Sequence, residues 1–221
     1  MGGQQLVIHR TSSGMTLIEL VIVLAIIGVA VQFGAWGIQD WADSQRVRTS
    51  ARAVADAFHL GRAEAIRTGN NHLVVFNQVL GATADIEVAN DGEPSSQNCT
   101  VETGETIHQV ALESSVAWGT GAAVGVAPDD PGSAPANIAN GSSFTDATRI
   151  ATNAAYAVLF QPDGLPRVFT QNAGTCVTVG LQAQGGGAIY LNNDHRDFAV
   201  VLSHLGTTRV HLWNHAGGWI Q

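Results

Sequence analysis

The sequence predicts an α+β fold, with one N-terminal helix followed by a domain of antiparallel β-structure. Two observations carry this prediction. No proline interrupts residues 15–68, and the apolar residues there sit at helical spacing. After Asn71 the pattern changes to short apolar runs separated by Gly, Asn, Asp, Ser and Pro, which is the signature of strands and turns.

The helix opens on Gly14-Met15-Thr16-Leu17-Ile18-Glu19-Leu20 and continues apolar to Phe33. Residues 1–14 are polar, with His9 and Arg10 near their end. The run from Met15 to Phe33 has the length of a bilayer span, roughly 17–25 residues. An ordinary secretory signal cut near Gly28-Val29-Ala30, or a simple signal anchor, would have the same apolar core. Neither explains Glu19, because an ionised side chain in lipid is costly and usually functional. From Ile38 the sequence turns amphipathic. Val47, Ala51, Val54, Phe58 and Ala65 keep to one side, and Asp43, Arg46, Arg48, Arg52, Asp56, Arg62 and Arg67 take the remainder. This stripe reads as core packing. Gly69-Asn70-Asn71 supplies the stop. A helix over residues 15–68 would be on the order of 80 Å long.

The organisation that follows is 1–14 as a leader, 15–36 as a membrane half of the helix, 37–69 as its amphipathic half, and 70–221 as a β-rich domain. Leu73–Phe76 opens that domain. Residues 81–150 are poorly periodic and acidic. There is no arginine between Thr68 and Thr148, while Asp85, Glu87, Asp91, Glu93, Glu102, Glu105, Glu113, Asp129 and Asp130 all fall there. Strands are expected near Ile107–Leu112 and Val116–Trp118. The stretch 128–135 reads as an exposed, solvated acidic loop. Its clustered oxygen ligands raise calcium, but no EF-hand spacing exists, and no metal or cofactor is expected.

The C-terminal third is more regular. Ala155–Phe160 is a strand. Gln161-Pro162-Asp163-Gly164-Leu165-Pro166 is a turn in which proline pre-sets φ and Asp-Gly tolerates positive φ. Arg167–Thr170 returns as the partner strand. Cys176–Leu181 is a further strand, with Val177, Val179 and Leu181 on one face. Asp197–Ser203 and Thr208–Trp213 form a hairpin around Leu205-Gly206-Thr207. The chain has two cysteines. In an oxidising compartment, Cys99 and Cys176 would form a disulfide tying the acidic middle to the C-terminal sheet. A free, buried Cys176 is the alternative. His195, His204, His211 and His215 crowd the chain's end. If 208–213 is a strand, His211 points with Arg209 and Trp213, away from Val210 and Leu212. These histidines therefore read as surface or turn residues rather than zinc ligands.

Composition excludes several functions. The formal charge is −8, and all ten basic residues are arginine. Without lysine there is neither a Walker-A phosphate lysine nor Schiff-base chemistry. There is no G-x-S-x-G, H-E-x-x-H or C-x-x-C. No enzymatic activity is expected.

The Gly14-Met15-Thr16-Leu17-Ile18-Glu19-Leu20 string resembles a type IV prepilin signal, with Met15 where phenylalanine is commonest. The Phe160-Gln161-Pro162-Asp163-Gly164 segment and the Ala199–Ser203 and Gly206–Val210 strands resemble the GspH/FimT family of pseudopilins and minor pilins. The resemblance implies a pilin-like fold, with the helix packed on two small antiparallel sheets. It implies cleavage by a prepilin peptidase between Gly14 and Met15, N-methylation of Met15, and a Glu19 that pairs with a neighbouring subunit's N-terminal amine during assembly. The implied partners are other pilins or pseudopilins, the peptidase and the bacterial inner membrane, with the C-terminal domain in the periplasm. The implied role is that of a minor pseudopilin of type II secretion. The alternative is a FimT-like minor type IV pilin in pilus biogenesis or DNA capture. The basic motif of such DNA-binding relatives falls here on Gly206-Thr207-Thr208-Arg209, without its first arginine, so nucleic acid is not an expected partner.

Overall fold

The computed structural model describes residues 14–92, 97–132, 135–144, 156–172, 175–180, 185–193, 196–214 and 217–221. Among the described residues, one α-helix, α1 (Leu17–Thr68), precedes all the strands. The chain divides into two compact units between Trp41 and Ala42. In the first unit, the apolar side chains from Leu17 to Val31 are exposed. Among the described residues, no helix is long and apolar enough to cross a membrane. The described side chains of this stretch, residues 17–31, cover about 22 Å of helix against a hydrocarbon core of about 30 Å.

The second unit contains two five-stranded antiparallel sheets and a ribbon. Its strands are β1 (Asn71–Phe76), β2 (Ile86–Asp91), β3 (Thr106–Val110), β4 (Ala117–Trp118), β5 (Ala157–Phe160), β6 (Pro166–Arg167), β7 (Phe169–Asn172), β8 (Thr175–Val179), β9 (Gly187–Asn192), β10 (Asp197–Leu202), β11 (Thr208–Asn214) and β12 (Gly218–Ile220). The first sheet has the order β3-β2-β1-β5-β6 and the second β12-β11-β10-β9-β4, while β7 and β8 pair with each other. A 3-10 helix, Pro135–Asn140, lies between β4 and β5.

Strand alternation explains how one helix serves both sheets. Successive side chains point to opposite faces. Val74 and Phe76 of β1, Val158 and Phe160 of β5, Ile189 and Leu191 of β9, and Phe198, Val200 and Leu202 of β10 share one core with Val47, Ala51, Val54, Ala57, Phe58 and Ala65 of α1. The opposite faces have their own covers. Leu73, Val75, Ala89 and Leu159 pack with Cys99, Val101 and Phe169. Ala188, Tyr190, Ala199 and Val201 pack with Ala127 and Ile138. Phe58 lies at the crossing, with ring centroids 5.3 Å from Phe76 and 6.1 Å from Phe144.

The helix ends at Thr68, where Gly69 takes φ +73° and donates its N–H to Ala65 O at 3.1 Å. Both C-terminal turns lean on α1. Gly164 (φ +73°) closes the Gln161–Gly164 turn, and a Cβ there would lie 2.6 Å from Ile66 Cδ1. Gly206 accepts a hydrogen bond from Arg62 Nη1 at 3.0 Å.

Several sequence expectations are corrected. The region 81–150 is not simply an acidic loop. Besides the expected strands, found as β3 and β4, it contributes β2 and a 3-10 helix, and Glu87, Asp91 and Glu105 are buried there. Its acids escaped recognition as strand residues because backbone donors, rather than water, satisfy much of their hydrogen bonding. Within 128–135, Asp129 is exposed, but Asp130 is half-buried and accepts from Tyr190 Oη at 2.6 Å and Ser143 Oγ at 2.7 Å. The expected strand Arg167–Thr170 is split. Only Pro166–Arg167 pairs with β5, and from Phe169 the chain turns to β8. His211 is buried, opposite Ala199 of β10, whose face packs with Ala127 and Ile138. His204 Nδ1 is also buried. His195, His215, Glu93 and residues 1–13 lie outside the described residues.

Cys99 and Cys176 are joined by a disulfide, with Cα atoms 5.2 Å apart and a sequence separation of 77. It pins the β7–β8 ribbon to the cover of the first sheet. Replacing both cysteines by serine is expected to cost about 2–5 kcal/mol. A lower midpoint in denaturant titration checks this.

Candidate functional site

The residues singled out at the N-terminus form one local structure. Thr16 is the last non-helical residue, and Leu17 the first helical one. Glu19 N–H donates to Thr16 Oγ1 at 3.3 Å. In return, Thr16 N–H donates to Glu19 Oε2 at 3.3 Å, and the Thr16 hydroxyl donates to the same oxygen at 3.4 Å. This is a reciprocal capping box, in which Thr and Glu three residues apart each satisfy a backbone N–H that the helix cannot. The carboxylate also sits in the first turn, where the helix dipole favours negative charge. Glu19 is therefore partnered by its own chain. Sequence reasoning identified Glu19 by its cost in an apolar run and missed this role, although the Thr-x-x-Glu spacing signals it. Gly14 and Met15 precede the box, and Met15 is exposed.

Beyond the helix start, a cavity of about 660 Å³ opens on the cover of the first sheet, lined by Gly81, Thr83, Glu87, Glu102, Gly104 and Thr106 among others. Glu87 accepts from Thr83 N–H at 2.9 Å, Ala84 N–H at 3.3 Å and the Thr106 hydroxyl. Burial alone would raise its carboxyl, but these donors, with Gln109, hold it below the usual value. Every lone pair so used is unavailable to a nucleophile or metal. Among the described residues, no three His, Cys, Asp or Glu side chains converge on a metal-binding geometry.

Five of the eight described arginines have partners. Arg46 pairs with Asp43 at 2.9 Å, Arg67 with Glu64, Arg167 with Asp163 at 2.6 Å, and Arg209 with Asp129. Arg62 is bound to Gly206 O. In the Gly206–Arg209 segment the single cation is thus neutralised by an acid.

Residues 9–31 match the family model of the prokaryotic N-terminal methylation motif. The match supports a type IV pilin-like, prepilin-processed protein. No curated protein and no solved structure matches the chain.

Removing the cap tests the local geometry. Thr16→Ala is expected to weaken the first turn by about 1 kcal/mol. Faster amide exchange at residues 17–20, with exchange in β9 and β10 unchanged, checks this.

Proposed function

We propose that the chain is a minor pseudopilin of a type II secretion system, cut between Gly14 and Met15, methylated on Met15 and built into a pseudopilus through its N-terminal helix. It is not an enzyme in this reading, but the substrate of one. The observation that carries the reading is the methylation motif at residues 9–31, coupled to a helix that starts directly after the cleavage position with Glu19 in its first turn. The exposed apolar side chains from Leu17 to Val31 support an unprocessed anchor in the inner membrane and a helix–helix surface after assembly. Heterologous stacking of such helices yields an open-ended filament. The β-rich unit would then face the periplasm, where a disulfide persists.

The mechanism assigns Glu19 two successive partners. Before assembly it caps its own helix. In the filament its carboxylate faces the amine of a neighbouring Met15, and pairing offsets the cost of each charge in a low dielectric. A minor type IV pilin would use the same residues. DNA capture is the weaker reading, because Arg209 is paired with Asp129 and the formal charge is −8.

Glu19→Ala is expected to leave insertion and cleavage intact while lowering incorporation into the filament about tenfold or more. Fractionation of sheared filaments measures this, and normal incorporation would sink the proposal. A deletion strain assayed for both protein secretion and twitching separates pseudopilin from pilin. A gel shift with the full chain is expected to show no micromolar DNA binding at physiological salt.

A further inference from the structure

Asp91 is the most confined acid in the described structure. It ends β2, and its residue exposure is zero. Its Oδ1 accepts from Asn98 N–H at 2.9 Å and Cys99 N–H at 3.0 Å. Its Oδ2 is buried and has no hydrogen-bond partner. Among the described residues, the neighbours of this oxygen offer no positive charge. Across the first sheet, β1 places Asn71 opposite Asp91. The strand that follows, β3, opens with Thr106. The charged groups that act on Asp91 are Glu105 and Glu102, both from the connection between β2 and β3, and both acids. Glu105 is itself buried. An ionised carboxylate here would be removed from water on one oxygen and repelled by two others.

We propose that Asp91 is a proton-binding site that fastens the 97–105 connection: Oδ1 holds the amides of Asn98 and Cys99, while Oδ2 carries the proton. The neutral acid removes a buried charge and its repulsion with Glu102 and Glu105. Ionisation restores both and loosens the connection. The disulfide at Cys99 keeps the loosening local. The same connection supplies Val101, Glu102, Thr103 and Gly104 to the wall of the cavity beside Glu87, so the proton also controls how firmly that wall is held.

The direction of the pH effect follows. Burial and the neighbouring acids raise the Asp91 carboxyl in the folded chain. Its stabilisation is complete below the unfolded value, about 3.9, and is lost as pH rises through the higher folded value. For each pH unit separating the two values, the folding equilibrium falls about tenfold.

Carboxyl carbon-13 NMR on the full-length chain in detergent tests the proposal directly, with Asp91 assigned in the unsubstituted protein. A titration midpoint above about 3.9 is expected, and a midpoint at or below that value overturns the proposal. Denaturant unfolding between pH 4 and pH 8 provides a second readout. Asp91→Asn keeps an oxygen for the two amides but cannot ionise. It should lose the Asp91 share of the pH dependence, and an identical dependence in both proteins would refute the assignment. If the variant does not fold, the carbon-13 titration alone decides.

Discussion

The buried stripe of α1 from Val47 to Ala65 is the contact on which the β-structure depends. Neither sheet closes a core alone. The inner faces of β1, β5, β9 and β10 all meet the same helix face, and Phe58 touches Phe76 and Phe144 there. Burying a phenylalanine of this kind is worth roughly 1.5–3 kcal/mol, and the cavity left by removing it adds to the loss. The outer faces need less from the helix. One is covered by residues 79–82 and 99–101 with the disulfide, the other by Ala127 and Ile138.

Acids organise much of that cover. Asp197, buried at the start of β10, accepts the amides of Gly121, Ala122 and Ala123 at 2.5, 2.9 and 2.9 Å. Asp130 fastens Ser143 and Tyr190 in the same layer, and Glu87 and Asp91 act likewise on the other sheet. Burial, reinforced by Asp130, pushes the Tyr190 hydroxyl far above its ordinary range, so it remains a donor. A chain with no lysine and few arginines thus uses acidic side chains as acceptors for loop amides. Part of the acidic composition is thus an internal scaffold for connections that have no regular structure.

The sequence was most legible where pattern and chemistry coincide. Turn chemistry placed Gly164 and Gly206, the apolar run Leu73–Phe76 identified β1, and alternation identified β10 and β11. Glu19 stood out because an acid is costly in an apolar run, and the resemblance of residues 14–20 to a prepilin signal supplied the chemistry. By contrast, β2 was hidden, since Glu87, Asn90 and Asp91 break its apolar pattern and their burial depends on donors far along the chain. β9 carries no expectation from the sequence, its apolar residues following directly on Gly185-Gly186-Gly187. At Gly187 an added Cβ would lie 2.6 Å from Phe144, so this glycine serves packing rather than flexibility. The capping role of Glu19 was legible in Thr-x-x-Glu but was overshadowed by the cost of its charge.

The two glycine turns have a consequence for the position of the helix. A side chain at Gly164 would strike Ile66, and one at Gly206 would approach Arg62 Nη1 at 3.3 Å. The two helix residues are four apart, about one turn on the same flank. Sliding α1 by one turn, about 5.4 Å, would take Ile66 out of the Gly164 notch and Arg62 away from the Gly206 carbonyl together. The hairpin tips therefore act as a vernier that sets the axial position of the helix on the sheets. That is a different kind of information from the turn geometry for which the same glycines were first noticed.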